Sequence, residues 1–98
     1  MKEIQTVDRV PIYYERLTVT NTAVSSLNEV YREDSNAAFI TVETNNIRYR
    51  IDGGDPDAND GHLVYASQNL WFECPASIRK FKAIGSGGNA TLIVTYYR

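Results

Sequence analysis

The segment AAFITVETNNIRYRIDGG, residues 37–54, decides the fold class of this chain. Apolar and polar side chains alternate through residues 38–43 and again through residues 47–51, with a turn-forming Thr-Asn-Asn between them. Alternation with a period of two is typical of antiparallel strands that have one buried face and one hydrated face. We therefore predict two strands here, over residues 37–43 and 47–52, joined by the turn as a β-hairpin.

The same alternation recurs along the rest of the chain. Further strands are predicted at residues 13–20, 62–65, 67–73, 78–84 and 90–97, with a short strand or turn at 23–27. Residues 28–36 form a loop or a single helical turn, and the clusters at 53–61 and 85–89 are turns. Seven or eight short strands predict one all-β domain over residues 1–98, an antiparallel β-sandwich of jelly-roll type.

The first twelve residues are expected to behave differently from the rest. Their apolar side chains are scattered, and Pro11 blocks a long helix. We predict that residues 1–12 form an extended N-terminal arm or a first edge strand. Ile4 and Val7 are the apolar side chains of this arm that we expect to contact a partner.

Composition limits the classes of function. The 98 residues carry a net charge of −2 and no long basic tract, so we predict no nucleic-acid partner. No apolar stretch approaches the ~20 residues of a membrane span, and residues 1–5 lack the apolar segment of a secretory signal. The single cysteine, Cys74, excludes an intrachain disulfide and favours synthesis in a reducing cytoplasm.

Residues that could carry out chemistry are few. His62 is the only histidine, and no motif places an orienting acid or an oxyanion hole beside it or beside Cys74. We therefore predict no catalytic residue, no cofactor and no enzyme activity. Four aspartates lie within residues 52–60, but the spacing is not that of an EF-hand. We interpret this segment as a hydrated turn and predict no metal site; whether it binds an ion stays open.

Two surface features remain as candidate contacts. Arg48 and Arg50 share one strand face, and Lys80 and Lys82 share another, so neighbouring strands would gather four cations for an acidic partner. Large aromatic side chains in strands are typical of a core or of a subunit contact, and exposed aromatic platforms occur in sugar-binding modules. The predicted contact residues are Ile4, Val7, Arg48, Arg50, Trp71 and Tyr97.

The later part of the chain contains a series of short motifs in a fixed order. The segment from Phe39 to Gly53 contains the pattern V-E-x-x-x-I-R-Y/F-R-x-D-G. The series continues with Gly61-His62-Leu63, then Phe81-Lys82-Ala83-Ile84, a glycine-rich turn, and the terminal sequence ATLIVTYYR. From Phe39 to Arg98 the chain thereby resembles small structural proteins of tailed bacteriophages, and the N-terminal third does not contribute to the resemblance.

The resemblance implies a virion component without enzymatic activity. Within that class we expect a capsid decoration or cement protein that binds the major capsid protein on the outer surface of the virion. Such proteins are commonly small β-sandwiches that form homo-oligomers, often trimers, after synthesis in the host cytoplasm. The alternatives are a component of the tail, neck or head fibre, or a carbohydrate-binding β-sandwich module in which Trp71 and Tyr65 are exposed and coplanar.

Overall fold

The structure, a computed structural model, describes residues 9–98, and eight strands and two short helices lie in this range. Neither helix is long and apolar enough to cross a membrane. The elements follow the chain in the order β1 (Pro11–Val19), β2 (Ser25–Ser26), α1 (Glu29–Asp34), β3 (Ala37–Glu43), β4 (Asn46–Arg50), β5 (His62–Val64), β6 (Asn69–Phe72), α2 (Pro75–Lys80), β7 (Lys82–Ser86) and β8 (Ala90–Tyr97).

The strands form two antiparallel sheets of four strands each. The first sheet has the order β1-β8-β3-β6, and the second has the order β2-β7-β4-β5. The chain therefore crosses repeatedly from one sheet to the other. This arrangement confirms the all-β prediction and the sandwich-like packing of two sheets.

The core lies where the inner faces of the two sheets meet. Every second residue of β8, beginning at Ala90, is buried, and the residues between them are partly exposed. This is the period that the sequence predicts for a strand with one buried face. The largest apolar side chains that are fully buried are Tyr96, Phe81, Ile40, Ile47, Ile78, Leu92, Val19, Val42 and Val94.

The predicted hairpin between residues 37–43 and 47–52 is wrong. β3 lies in the first sheet and β4 in the second, and the turn between them redirects the chain across the core. Thr44 adopts a φ of 80°, and the Asn45 N–H donates to the Glu43 carbonyl oxygen at 3.0 Å. Two strands with one apolar face each can bury those faces side by side or across a core, so local alternation does not distinguish the two arrangements.

The predicted strand at residues 78–84 is also wrong in its first half. Pro75 occupies the first turn of α2, and the Ile78 N–H donates to the Cys74 carbonyl oxygen. Ile78 and Phe81 are both fully buried and lie three residues apart, the spacing of one helical turn. The strand β7 begins only at Lys82.

Helix α1 is held on the first sheet by ring packing of Tyr31 against Tyr13 and Tyr96 and by hydrogen bonds at its N-terminus. The side-chain oxygen of Asn28 caps the helix by accepting from the Tyr31 N–H at 3.1 Å. The Glu15 carboxylate of β1 accepts from the Asn28 N–H at 3.2 Å and from the Tyr96 hydroxyl. Burial and this hydrogen bond raise the pKa of Tyr96. The cap therefore depends on two side chains of the first sheet.

The N-terminal arm is described only from residue 9. Pro11 and Ile12 belong to β1, so the edge-strand alternative holds for this part of the predicted arm. The pairing extends one step further, because Val10 and Arg98 exchange two backbone hydrogen bonds of 3.2 and 2.9 Å. Ile4 and Val7, the predicted contact residues of the arm, lie outside the described residues.

Candidate functional site

A row of aromatic side chains crosses the outer face of the first sheet. Tyr14, Thr95, Phe39 and Trp71 are successive neighbours on β1, β8, β3 and β6. Tyr97 lies beside this row and packs against Trp71. We call Tyr14, Phe39, Trp71 and Tyr97 the aromatic face. Tyr14 is 62% exposed, Trp71 44% and Phe39 37%, so these rings are available to a partner.

The rings of the aromatic face support one another at an angle. The Trp71 ring centroid lies 5.3 Å from that of Tyr97 with an interplanar angle of 68°, and 6.4 Å from that of Phe39 with an angle of 50°. Such edge-to-face packing stabilises the position of each ring. The neighbouring rings do not extend Trp71 into a flat platform of the kind on which a sugar ring stacks. Tyr65 is exposed, as the carbohydrate alternative requires.

Two members of the aromatic face were not among the predicted contact residues, although the sequence contained a signal for them. Trp71 and Tyr97 were predicted as contacts, and the structure brings them together. Tyr14 and Phe39 were missed. Phe39 alternates with the buried Ala38 and Ile40, which assigns a large apolar ring to the hydrated face of its strand. An apolar ring on a predicted hydrated face is the general form of that signal.

The basic residues lie on the outer face of the second sheet, on the opposite side of the sandwich. β4 and β7 are neighbours, as the cationic cluster requires, and Arg50 lies directly opposite Lys82. Lys80 is instead the last residue of α2, so the prediction that all four cations line two strands is wrong. Arg48 pairs with Ile84 across the same two strands.

The loop between β4 and β5 covers these cations. Arg48 donates to the carbonyl oxygens of Ala58 and Gly61 at 3.1 and 2.9 Å. Arg50 donates to both carboxylate oxygens of Asp52 at 3.0 and 2.6 Å. The Lys82 ammonium lies 3.1 Å from the carboxylate of Asp55. The acidic loop and the basic stripe, which the sequence presents as two features, therefore form one internally paired surface.

This pairing affects the availability of Arg48 and Arg50 to a partner protein. A contact between these residues and a partner stays a prediction. Their guanidinium groups already have partners in the loop, so a partner would compete with Asp52 or would bind the remaining exposed atoms. Removing both side chains would also release the loop, and loss of binding in that variant would have two causes.

Asp52 shows the strongest electrostatic effect of this surface. The hydrogen bonds from Arg50, followed by that from the Gly54 N–H, lower the pKa of Asp52 to about 2. Hydrogen bonds to the charged form of a carboxyl group stabilise that form and lower its pKa. Asp52 therefore remains a carboxylate across the whole range of ordinary pH.

The residues considered for catalysis or metal binding do not form a cluster. Cys74 is exposed at the start of α2, where the backbone N–H groups of Ser77 and Ala76 lower the pKa of its thiol. His62 lies on β5 with its ring 5.2 Å from that of Tyr49. Within residues 9–98, no three side chains of His, Cys, Asp or Glu come together as metal ligands would.

A cleft opens where the edges of the two sheets meet. Its volume is about 590 Å³, and it lies between β5, the edge of the second sheet, and β6, the edge of the first. The lining residues are Tyr49, His62, Leu63, Val64, Gln68, Asn69 and Leu70. Residues 9–98 thus present the aromatic face, the loop-covered basic face and this cleft as candidate contact surfaces.

Comparison with known proteins finds no match for this chain among protein-family models, curated proteins or solved structures.

Proposed function

We propose that this chain is a non-catalytic structural protein of a tailed-bacteriophage virion. In this proposal it acts as a decoration or cement protein on the capsid surface and binds the lattice of the major capsid protein. The exposed aromatic face on the first sheet is the observation that carries the proposal. The resemblance between residues 39 and 98 and small phage structural proteins supplies the class of particle.

The strand order supports a jelly-roll form of the sandwich. Strands 1, 8, 3 and 6 of the chain share one sheet, and strands 2, 7, 4 and 5 share the other, with every pair antiparallel. Jelly rolls contain eight strands in two such sheets and occur in viral capsid proteins and in lectins. Because one fold serves many functions, this order supports the proposal only together with the surfaces.

The aromatic face has the composition of a protein contact. Aromatic side chains are enriched at the centres of protein interfaces, where charged side chains are depleted. Tyr14, Phe39 and Trp71 lie in one row across four strands, with Thr95 among them. The tilted packing of Trp71 against its neighbours favours an irregular protein surface over a planar sugar. A rigid sheet bearing such a row can bind without refolding.

Binding to a lattice of many identical capsid subunits explains how such a small domain stabilises a large particle. A protein that binds only the assembled shell stabilises that shell by mass action. The stabilisation grows with the number of copies bound, and a chain as short as this one can bind in many copies. We propose a homo-oligomer, with a trimer favoured, because a symmetric particle offers equivalent contacts around its axes.

The test uses capsids assembled without this chain from the phage that encodes it. Purified protein is added, and its occupancy on the capsids is measured by sedimentation. Replacing Phe39 and Trp71 together by alanine should lower the apparent affinity by at least about tenfold, because central aromatic residues dominate interface energies. The matched control is Tyr65→Ala, which removes an exposed ring that lies outside the aromatic face.

Equal occupancy for the wild type and the double variant would contradict the proposal, provided that both are folded by circular dichroism. Binding of the wild type to tail or neck structures instead of the shell would support those alternative positions. Retention of the wild type on polysaccharide columns, lost in Trp71→Ala, would favour the carbohydrate-binding module. The sedimentation mass of the free protein tests the trimer.

A further inference from the structure

The edge of β6 carries unpaired backbone groups that face the cleft. The Val42 N–H donates to the Gln68 carbonyl oxygen at 3.0 Å, and the Val42 carbonyl oxygen accepts from the Ser67 N–H at 2.7 Å. Hydrogen bonding alternates along an antiparallel pair. Leu70 and Phe72 are therefore the β6 residues whose backbone groups bond to β3. The N–H and C=O groups of Asn69 and Trp71 must then point away from β3.

These groups have no backbone partner within residues 9–98. Only β3 pairs with β6, which leaves its other side open along the cleft. The strand has the sequence Asn-Leu-Trp-Phe and contains none of the charged residues or prolines that commonly protect an edge. An open edge without these features is suited to receive another strand.

The other strand edges of the molecule differ from β6. β1 begins at Pro11 and exposes Arg16, two features that oppose strand addition. The edge strand β2 is only two residues long. β5 lies across the cleft from β6 and has three residues. Of the strand edges within residues 9–98, the edge of β6 is therefore the best suited to pair with a further strand.

The cleft beside this edge can take the side chains of such a strand. Its volume of about 590 Å³ lies within the range of about 300–1,000 Å³ that is usual for ligand sites. The ring of Tyr49 lies 6.0 Å from that of Phe72, and burial raises the pKa of Tyr49. Leu70 and Tyr49 contribute apolar surface to the cleft, but most of its exposed lining is polar.

We infer that the β6 edge and its cleft bind an extended peptide segment of a partner protein, which adds to the first sheet as a fifth strand. The backbone of the segment pairs with the free groups of Asn69 and Trp71. Alternate side chains of the segment enter the cleft, whose exposed lining is mostly polar, so a sequence with polar, hydrogen-bonding residues at every second position fits best. Trp71 belongs to both proposed contacts, with its side chain on the aromatic face and its backbone at the edge of β6, and different variants test the two contacts.

The experiment selects binders from a displayed library of random linear peptides, using the purified full chain as the target. Asn69→Pro is the blocking variant, because proline removes an N–H that points into the cleft and leaves the bonds to β3 in place. Asn69→Ala is the matched control, since it removes the same side chain and keeps the N–H. Enriched peptides are then synthesised for affinity measurement and for amide exchange of the complex.

We expect the enriched peptides to carry polar, hydrogen-bonding residues at alternate positions, because most of the exposed lining of the cleft is polar. Their affinity should fall at least about tenfold for Asn69→Pro and stay within about twofold for Asn69→Ala. Amide exchange at Trp71 should slow when the peptide is bound. N-methylation of alternate peptide amides provides a second test that does not depend on the folding of a protein variant, and it should abolish binding.

Three outcomes would overturn the inference. The selection could enrich no peptide that prefers the wild type over Asn69→Pro. Peptides could bind equally well after N-methylation in either alternating set, which would exclude strand addition. The free protein could form a dimer that Asn69→Pro dissociates, which would assign the edge to a second copy of the chain. Capsid binding is not measured in this experiment, so its result is independent of the proposed function.

Discussion

At the scale of single residues, Asp52 connects the acidic loop to the sheet. Its carboxylate accepts two hydrogen bonds from Arg50 and one from the Gly54 N–H. Arg50 in turn lies directly opposite Lys82, whose ammonium pairs with Asp55. Two neighbouring cations on one face would repel each other, and the two carboxylates of the loop compensate this repulsion. Asp52 and Asp55 are therefore paired with cations of β4 and β7, the two strands beside the loop.

The first prediction concerns the titration of Asp52. Its carboxyl carbon should titrate near pH 2 in the native protein, below the ordinary value of about 3.9. Arg50→Gln should move this pKa upward, because the largest cause of the shift is removed. The measurement is a carbon-detected NMR titration of both proteins.

The same shift sets a direction for stability. A lowered pKa in the folded state means that the contribution of Asp52 is complete above about pH 3.9 and is lost as the pH falls toward 2. Arg50→Gln should therefore lose less stability than the wild type between pH 5 and pH 2.5. A native midpoint near the ordinary value would contradict the pairing of Asp52 with Arg50.

At the scale of elements, the strand β7 shows how closely the two sheets meet at one end. Gly85 lies in β7, and its N–H donates to the Thr20 carbonyl oxygen at 2.9 Å. A Cβ atom at Gly85 would collide with the carbonyl oxygen of Gly88, which belongs to the following turn. Gly87 lies in the same turn with a φ of 85°, and nothing lies within 4 Å of a Cβ placed there. Two nearby glycines are thus required for different reasons.

The second prediction separates these two reasons. Gly85→Ala should lower the free energy of unfolding by about 3 kcal/mol, because the clash involves backbone atoms that cannot move aside cheaply. Gly87→Ala should cost only about 1 kcal/mol, the usual penalty of a left-handed residue with a side chain. Urea unfolding of both variants checks this. A smaller loss for Gly85→Ala than for Gly87→Ala would show that the turn can shift.

At the scale of the whole molecule, the two outer faces of the sandwich differ in whether their exposed side chains have partners within the chain. The second sheet exposes Arg48 and Arg50, and the loop pairs with both. The first sheet exposes the aromatic face, which no other segment of residues 9–98 covers. A contact that uses the first face depends on apolar burial, and a contact that uses the second depends on charge.

The third prediction uses this difference on the capsid. If the aromatic face makes the contact, the apparent affinity for capsids should change less than about threefold between 0.05 and 0.5 M salt, because salt screens charges and leaves apolar burial intact. Sedimentation occupancy across a salt series measures this. A fall of tenfold or more would favour the cationic contact through Arg48 and Arg50.

Local pattern predicted the strands better than their arrangement. The bounds predicted for two strands agree with β3 (Ala37–Glu43) and, to the residue, with β8 (Ala90–Tyr97). The helix at Pro75–Lys80 was missed although Ile78 and Phe81 lie three residues apart, a spacing that puts them on one face of a helix and on opposite faces of a strand. The structure brings together Trp71 and Tyr97, two of the predicted contact residues, whereas Lys80 lies in α2 and not on a strand; their binding to a partner stays a prediction.

The amino-acid sequence by itself determined which face of each strand enters the core. That property is local, because side chains of a strand alternate whatever its neighbours are. Only the tertiary structure decided which strands are neighbours, and with them the meeting of Phe39 with Trp71 and the pairing of the acidic loop with Arg50. These contacts join residues whose separation along the chain carries no pattern, since they follow from how two sheets pack around a shared core.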